Sequence, residues 1–323
     1  MAARLLGRSL IFLLATLSQQ VASAEASGLQ WLQRMAEAIV VQNYSAVVMY
    51  GDNGRWESAL IRQAHHDDVR IQRTDYLTGP ARAQTRTGND LVCTHDGPHT
   101  PGITPDVLKP FNSRLFSYSD SLEELYSARR LPGNDTRIAG RSALAISVTP
   151  IHPDRYGYLV WLDTETALPL KAEVLNLESE VLQRFQFASL DIGVNSPISE
   201  LTDTDAGHTV HLNEGDEAAA EVESEWVPDW LPDGFVMQRY RVSGHSERMM
   251  FSDGLAAFTL FVDPTSEQHS ISMSHQWGPV SATVKEVRHG DRRYRLSAVG
   301  ELPTPVLIQV LDSVSPAPSL AYH

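Results

Sequence analysis

The sequence is poor in cysteine and lysine and has no long apolar run. Cys93 is the only cysteine among 323 residues. That excludes an internal disulfide and any C-x-x-C redox or zinc motif. It also disfavours a lipidated N-terminus, because acylation needs a cysteine at the processing site. No segment reaches the roughly 18 apolar residues of a membrane-spanning helix. Lysine occurs only at Lys109, Lys171 and Lys285, and 26 basic residues face 40 acidic ones, a formal charge of −14. Nucleic acid is not expected as a partner, because phosphate binding needs a basic face. An acidic, lysine-poor surface fits a salt-tolerant bacterium, since salt screens self-repulsion. The G-x-S-x-G, H-E-x-x-H and G-x-x-x-x-G-K-[ST] motifs are absent as well. The expectation is therefore a binding protein and not an enzyme, with no cofactor and no metal.

What is present begins with an export signal. Arg4 and Arg8 precede the apolar stretch Leu10–Leu17, and Ala22-Ser23-Ala24 is a small-residue cleavage site. Cleavage is expected before Glu25, which makes residues 1–24 a signal peptide and the periplasm the destination. Removing Arg4 and Arg8 leaves 24 basic against 40 acidic residues, a charge of −16. A mature chain of this length predicts two domains.

Gly28–Asn43 reads as an amphipathic helix, with Leu29, Leu32, Ala36, Ile39 and Val40 at helical spacing. Strands are expected at 46–50, 56–62 and 69–73. Gly97–Asn112, broken by four prolines, reads as a loop. Ser119–Arg129 reads as a short helix carrying Leu122, Leu125 and Tyr126. The clearest alternation runs from Arg137 to Asp191. Strands at 143–149, 155–163, 170–177 and 181–189, three of them linked by short polar turns, predict an antiparallel meander. Glu200–Glu225 holds nine carboxylates and no lysine or arginine, and reads as an acidic linker extended by self-repulsion. After Trp226, strands are expected at 235–242, 249–251, 255–262, 282–288 and 293–298, then a closing helix at 303–311. The fold class is α+β. The domains are 25–199 and 226–318, joined by a linker at 200–225 and followed by a tail at 319–323.

Constellations for chemistry are weak. His65-His66-Asp67-Asp68 contains metal-ligand types, yet adjacent strand residues face opposite ways, so a solvated turn is the plainer reading. Asp203, Asp205 and His208 lack the geometry of a calcium loop. Cys93 with His95 would share a strand face as thiol and base, against the plainer reading of a buried small hydrophobe. The aromatics Trp31, Tyr44, Tyr50, Trp56, Tyr156, Tyr158 and Trp161 would either line an apolar cavity or fill a core.

Four stretches together carry a resemblance. Arg155-Tyr156-Gly157-Tyr158-Leu159-Val160-Trp161-Leu162-Asp163, continued to Lys171, resembles the strand–turn–strand of the lipoprotein-carrier-like fold, and carried on through Gln183-Arg184-Phe185-Gln186-Phe187 it looks most like the RseB/MucB family. Trp226–Phe235, Phe251-Ser252-Asp253-Gly254-Leu255 and Val299-Gly300-Glu301-Leu302-Pro303 resemble, in order and spacing, the RseB/MucB family of periplasmic sigma-E regulators. The resemblance implies an N-terminal unclosed antiparallel β-barrel plugged by helices and a smaller C-terminal β-rich domain with a closing helix. It further implies a regulator that binds the periplasmic segment of a membrane-spanning anti-sigma factor and shields it from site-1 proteolysis. Lipopolysaccharide or another acylated ligand would release it. Trp230, Phe235, Phe251, Asp253 and Leu255 are then candidate contacts for the anti-sigma factor. Tyr156, Tyr158 and Trp161 are candidates for an acyl pocket, although Trp161 faces away from the tyrosines in a regular strand. The alternative is a periplasmic lipid or lipoprotein carrier without a signalling role. A homo-oligomer stays open.

Overall fold

The computed structural model describes residues 27–52, 54–88, 90–95, 122–133, 135–202, 208–213, 224–266 and 272–317. The signal-peptide reading of 1–24, the loop reading of 97–112, the tail, and the candidate ligands Asp203 and Asp205 lie outside them. The described chain is mostly β-sheet, with four helices.

Helix α1 (Gly28–Val41) starts where the sequence supplies a capping box. The Gln30 backbone N–H donates to Ser27 Oγ at 3.2 Å, and the Ser27 N–H donates to Gln30 Oε1 at 2.9 Å. Such a cap contributes about 1 kcal/mol. Leu32, Met35, Ala38 and Ile39 form its buried face. Burying each of the three larger ones stabilises by about 1.5–3 kcal/mol.

Two meanders follow. The first is β1 (Tyr44–Asp52), β2 (Arg55–His66), β3 (Val69–Tyr76), β4 (Arg82–Thr87) and β5 (Asp90–His95). The second comes after α2 (Leu122–Leu125): β6 (Tyr126–Arg130), β7 (Thr136–Ile138), β8 (Arg141–Pro150), β9 (Gly157–Asp163), β10 (Pro169–Leu175) and β11 (Val181–Ile192). They join where β11 lies antiparallel to β1, with Tyr44 opposite Ile192. After α3 (Ile198–Thr202), strand β12 (His208–Asn213) adds itself to β5. The result is one unclosed 12-stranded sheet in the order β12-β5-β4-β3-β2-β1-β11-β10-β9-β8-β6, with β7 on β8. Alternation in β1 buries Tyr44, Ala46, Val48 and Tyr50, and these join the buried face of α1 in one core. The first turn of α1 lies hard against β6. A Cβ on Gly28 would come within 2.4 Å of the Ala128 carbonyl oxygen, so a glycine is needed there.

The second part opens with β13 (Trp226–Pro228), which pairs with the last strand, β20 (Val314–Pro316). Between them run β14 (Val236–Ser243), β15 (Ser246–Ser252), β16 (Ala257–Thr265), β17 (Ser272–Trp277), β18 (Val280–His289), β19 (Arg292–Gly300) and α4 (Thr304–Asp312). Six of these strands form a sheet in the order β14-β15-β16-β19-β18-β17, and α4 packs on β18 and β19. One face of that sheet is a core of Phe235, Phe251, Phe258, Leu260, Leu296 and the apolar side of α4. Phe251 and Phe258 stack at 5.0 Å between ring centres.

Two expectations fail. The helix expected at 119–129 is described only from 122, and there it is one turn, Leu122–Leu125, before the chain enters β6. Leu122, Leu125 and Tyr126 do have helical spacing, but pairing of Tyr126–Arg130 with β8 overrides that local pattern. Residues 208–213, inside the stretch read as an extended linker, form β12. There the alternation His-Thr-Val-His-Leu outweighs the acidic surroundings. His65 and His66 do not converge on a metal. His65 Nδ1 lies 2.7 Å from Asn43 Oδ1, His66 Nε2 lies 3.1 Å from the Ser196 carbonyl, and Asp67-Asp68 form the turn with φ of 49° and 62°. Among the described residues no group of His, Cys, Asp or Glu could hold a metal ion.

Candidate functional site at the junction of the two sheets

The two sheets meet around one buried arginine. Arg155 ends the turn between β8 and β9, and its side chain is fully buried. Its Nη1 donates to Asp253 Oδ2 at 2.6 Å, and its Nη2 donates to the Asp233 carbonyl at 2.7 Å. Its Nε donates to Asp154 Oδ1 at 2.7 Å. The guanidinium also lies over the rings of Tyr126 and Phe235, at 5.6 and 5.4 Å. Arg155, Asp154 and Tyr126 belong to the first sheet and its turns; Asp233, Phe235 and Asp253 belong to the second part of the chain.

Asp253 is saturated with donors. Oδ1 accepts from the backbone N–H groups of Leu255 and Ala256 at 2.9 and 2.8 Å, which folds the turn from β15 into β16. Oδ2 accepts from Arg155 and from the Tyr126 hydroxyl, the latter at 2.8 Å. A carboxylate fixed in this way is preorganised to receive the arginine. Burial alone would lower the Arg155 pKa, but Asp154, the Tyr126 phenol and Asp253 hold it above its ordinary value. Burial, and next the Asp253 charge, push the Tyr126 phenol well above its usual range, so it stays a donor. Tyr158 is shifted the same way, by burial first and then by Glu301 and Asp253.

Apolar contacts reinforce the polar ones. Leu255, although it precedes β16, is buried in the core of the first sheet. Gly234 has φ +78°, and a Cβ on it would lie 2.4 Å from Leu125 Cδ1 in α2. The Pro232–Phe235 turn therefore needs glycine for its conformation and for its close approach to α2. At the far end of β9's turn, Gln276 Nε2 donates to the Tyr156 hydroxyl at 3.1 Å.

The candidate residues divide as follows. Phe235, Phe251, Asp253 and Leu255 are buried within the chain, and Trp230 is partly exposed beside the second core. Tyr156 and Tyr158 come together at the junction, both buried. Trp161 does not join them. It sits on the other face of β9 under Lys171, whose Nζ is 3.9 Å from the ring centre. Lys171 also pairs with Glu173 at 2.9 Å. Burial raises the Cys93 thiol's pKa, which disfavours the thiolate a nucleophile needs. Arg155, Asp154 and Tyr126 are the residues that sequence reasoning missed. The available signal was an arginine placed directly before an alternating aromatic strand, where an exposed turn would ordinarily hold it.

Matches to known proteins span this whole arrangement. The MucB/RseB N-terminal domain model matches residues 27–206, and the MucB/RseB C-terminal domain model matches residues 220–315. The sigma factor AlgU regulatory protein MucB of Pseudomonas aeruginosa is 29% identical over 315 residues, covering 95% of this chain and 97% of the relative. The sigma-E factor regulatory protein RseB of Escherichia coli is 26% identical over 317 residues, covering 92% of this chain and 93% of the relative. The solved complex of Pseudomonas aeruginosa MucA and MucB is similar over 90% of this chain and 99% of the solved one, at 26% identity and a TM-score of 0.72. A crystal structure of MucB alone gives 25% identity and a TM-score of 0.66, covering 90% of this chain and 98% of the solved one.

Proposed function

The chain belongs to the MucB/RseB family, and from that premise we propose that it is a periplasmic negative regulator of a sigma-E-type envelope stress response. It binds the periplasmic segment of a membrane-spanning anti-sigma factor and shields that segment from site-1 proteolysis. Lipopolysaccharide or another acylated ligand releases it. The observation that carries this reading is the match of both family domains, in order, over nearly the whole chain. A relative solved together with MucA supports the partner class. The export signal read in residues 1–24 supports the periplasm.

In this reading the first sheet, plugged by its helices, is the sensing domain, and the second sheet with α4 is the partner-binding domain. The acyl chain enters beside Tyr156 and Tyr158, next to Arg155. Trp230 is the partner contact reachable without rearrangement. Phe235, Phe251, Asp253 and Leu255 act from beneath, by fixing the orientation of the two domains. A ligand that displaces Arg155 then favours a domain arrangement that no longer holds the anti-sigma factor. A differential of about 1–3 kcal/mol between the two states is enough for a useful switch. The reading carries no catalytic role. A bare lipid carrier has no use for a second domain bolted on through a buried ion pair, which favours the regulator.

The test is binding of the chain to the periplasmic segment of its cognate anti-sigma factor, with and without lipopolysaccharide. The expected result is binding that lipopolysaccharide reverses. No binding at tens of micromolar refutes the regulator, whereas tight binding indifferent to lipopolysaccharide removes the sensing step alone.

A further inference from the structure

The second sheet has two edge strands, and they are built differently. β14, at one edge, carries Arg239 and Arg241, and its register with β15 shifts between Met237 and Arg239. Irregular register and charged side chains are the usual devices that keep another strand from adding to an exposed edge. β17, at the other edge, has neither. Its six residues, Ser272-Met273-Ser274-His275-Gln276-Trp277, include no Asp, Glu, Lys, Arg or Pro. They pair with β18 in unbroken register, from Ser272 opposite Lys285 to Trp277 opposite Val280. No further strand lies beside β17 among the described residues.

The β17–β18 hairpin fixes which groups this edge offers. Gly278 and Pro279 form its turn, with φ +56° at Gly278, so Trp277 and Val280 are the closing hydrogen-bonded pair. Alternation then turns the backbone N–H and C=O groups of Ser272, Ser274 and Gln276 away from β18. Ser274 Oγ donates to Thr283 Oγ1 at 3.0 Å, the close side-chain approach of a pair that shares no backbone hydrogen bond. The opposite face of the strand shows Met273, 60% exposed, and the stacked rings of His275 and Trp277, 5.5 Å apart. The edge therefore offers an extended polypeptide both backbone partners and an apolar row beside them.

β17 also touches the junction of the two sheets. Gln276 Nε2 donates to the Tyr156 hydroxyl at 3.1 Å, and Thr304 Oγ1, at the start of α4, donates to Gln276 Oε1 at 3.4 Å. A segment laid along β17 would lie one side chain away from Tyr156.

We propose that the outer edge of β17 is a docking site for the anti-sigma factor's periplasmic segment, which adds to the second sheet as an extended strand. The inference rests on the regulator reading given above and deepens it. Strand addition asks for a backbone and not for a particular charge, so a polypeptide fits and a lipid surface does not. Position selects the regulated partner over a second copy of this chain. Through Gln276 and Tyr156, the edge and the ligand site are joined by one hydrogen bond, the kind of link that release by a ligand needs.

The experiment is backbone amide exchange, read by NMR on the full chain with and without the periplasmic segment of the cognate anti-sigma factor. In the complex the amides of Ser272, Ser274 and Gln276 should exchange about tenfold more slowly or better, because each gains a partner. Ser274→Pro removes one outward donor and leaves the ladder to β18 intact. It should bind the fluorescently labelled segment about tenfold more weakly by anisotropy, with an unchanged circular dichroism spectrum. If that variant does not fold, exchange in the wild type decides alone. Binding of the segment with unchanged exchange at these three amides, or wild-type affinity in folded Ser274→Pro, overturns the docking edge and leaves the regulator reading standing. Failure of the wild type to bind overturns both. Protection that appears without the segment and grows with protein concentration assigns the edge to a second copy and overturns the proposal.

Discussion

Replacing Asp253 by alanine should loosen the two halves of the molecule. The substitution removes four accepted hydrogen bonds at once, two from the backbone of Leu255 and Ala256, one from Tyr126 and one from Arg155. Arg155 stays buried with Asp154 and the Asp233 carbonyl as its remaining partners. Removing one member of a buried pair costs about 3–5 kcal/mol, because the other charge is left uncompensated. For domains of this size that corresponds to a Tm lower by roughly 6–20 °C. Calorimetry reads the shift, and urea unfolding followed by tryptophan fluorescence gives the free energy. Asp253→Asn separates the contributions. Its amide oxygen still accepts from the two backbone N–H groups, while its amide nitrogen faces two donors, so it should fall between wild type and alanine. In the double variant Asp253→Leu with Arg155→Met the stranded charge is gone, and the loss should be smaller than the sum of the single losses. A cost below about 1 kcal/mol for Asp253→Ala, or strict additivity in the cycle, refutes the argument that this pair joins the sheets.

Other outcomes follow from the same geometry. Gly234→Ala should cost about 1–2 kcal/mol, since φ +78° is strained for any residue with a Cβ; an unchanged Tm would show that the turn can relax away from α2. Burial holds the phenols of Tyr126, Tyr158 and Tyr156 above their ordinary pKa, and burial with the Glu247 hydrogen bond pushes Tyr240 up to about 12. Their folded pKa values exceed the unfolded value near 10, so their contribution is fully present below about pH 10 and is lost as pH rises above it. Titration at 295 nm should accordingly show these groups ionising together with unfolding, and smooth ionisation of every tyrosine near pH 10 in a folded chain would contradict their burial. Stability should hold or rise as NaCl screens the acidic surface, and a steady fall in Tm with added salt would count against the high-salt reading. Cys93→Ala should leave binding to the anti-sigma segment unchanged, and loss of binding would give the thiol a role.

The sequence was most legible where one face of an element is wet. Alternation in β9, β10 and β11 marked the meander, and the two-faced strand explains why Lys171 and Glu173 share a side away from Leu170, Ala172 and Val174. α1 and α4 were visible because their apolar stripes have helical spacing. β6 and β12 were not, because pairing with distant strands and not local pattern fixes them. The junction was half legible. The stretches 155–163, 226–235, 251–255 and 299–303 stood out as motifs, and in the folded chain Arg155, the Asp233 carbonyl, Asp253 and Glu301 gather around one point. What one chain of letters cannot convey is that Arg155, a residue type expected in water, is the side chain both halves share.

The β1–β11 pair has a consequence for when this chain can fold. Tyr44 and Ile192 are neighbours, so the first strand of the molecule waits for the eleventh before its sheet is continuous. Closing so long a loop is entropically costly and slow compared with forming local hairpins. Leu255 extends the wait, since the first core is complete only when a residue from the second part reaches it. A chain threaded across a membrane N-terminus first would therefore stay unfinished until most of it had crossed. Such a chain resists premature folding on the near side and exposes unpaired strand edges on the far side until its last strands arrive.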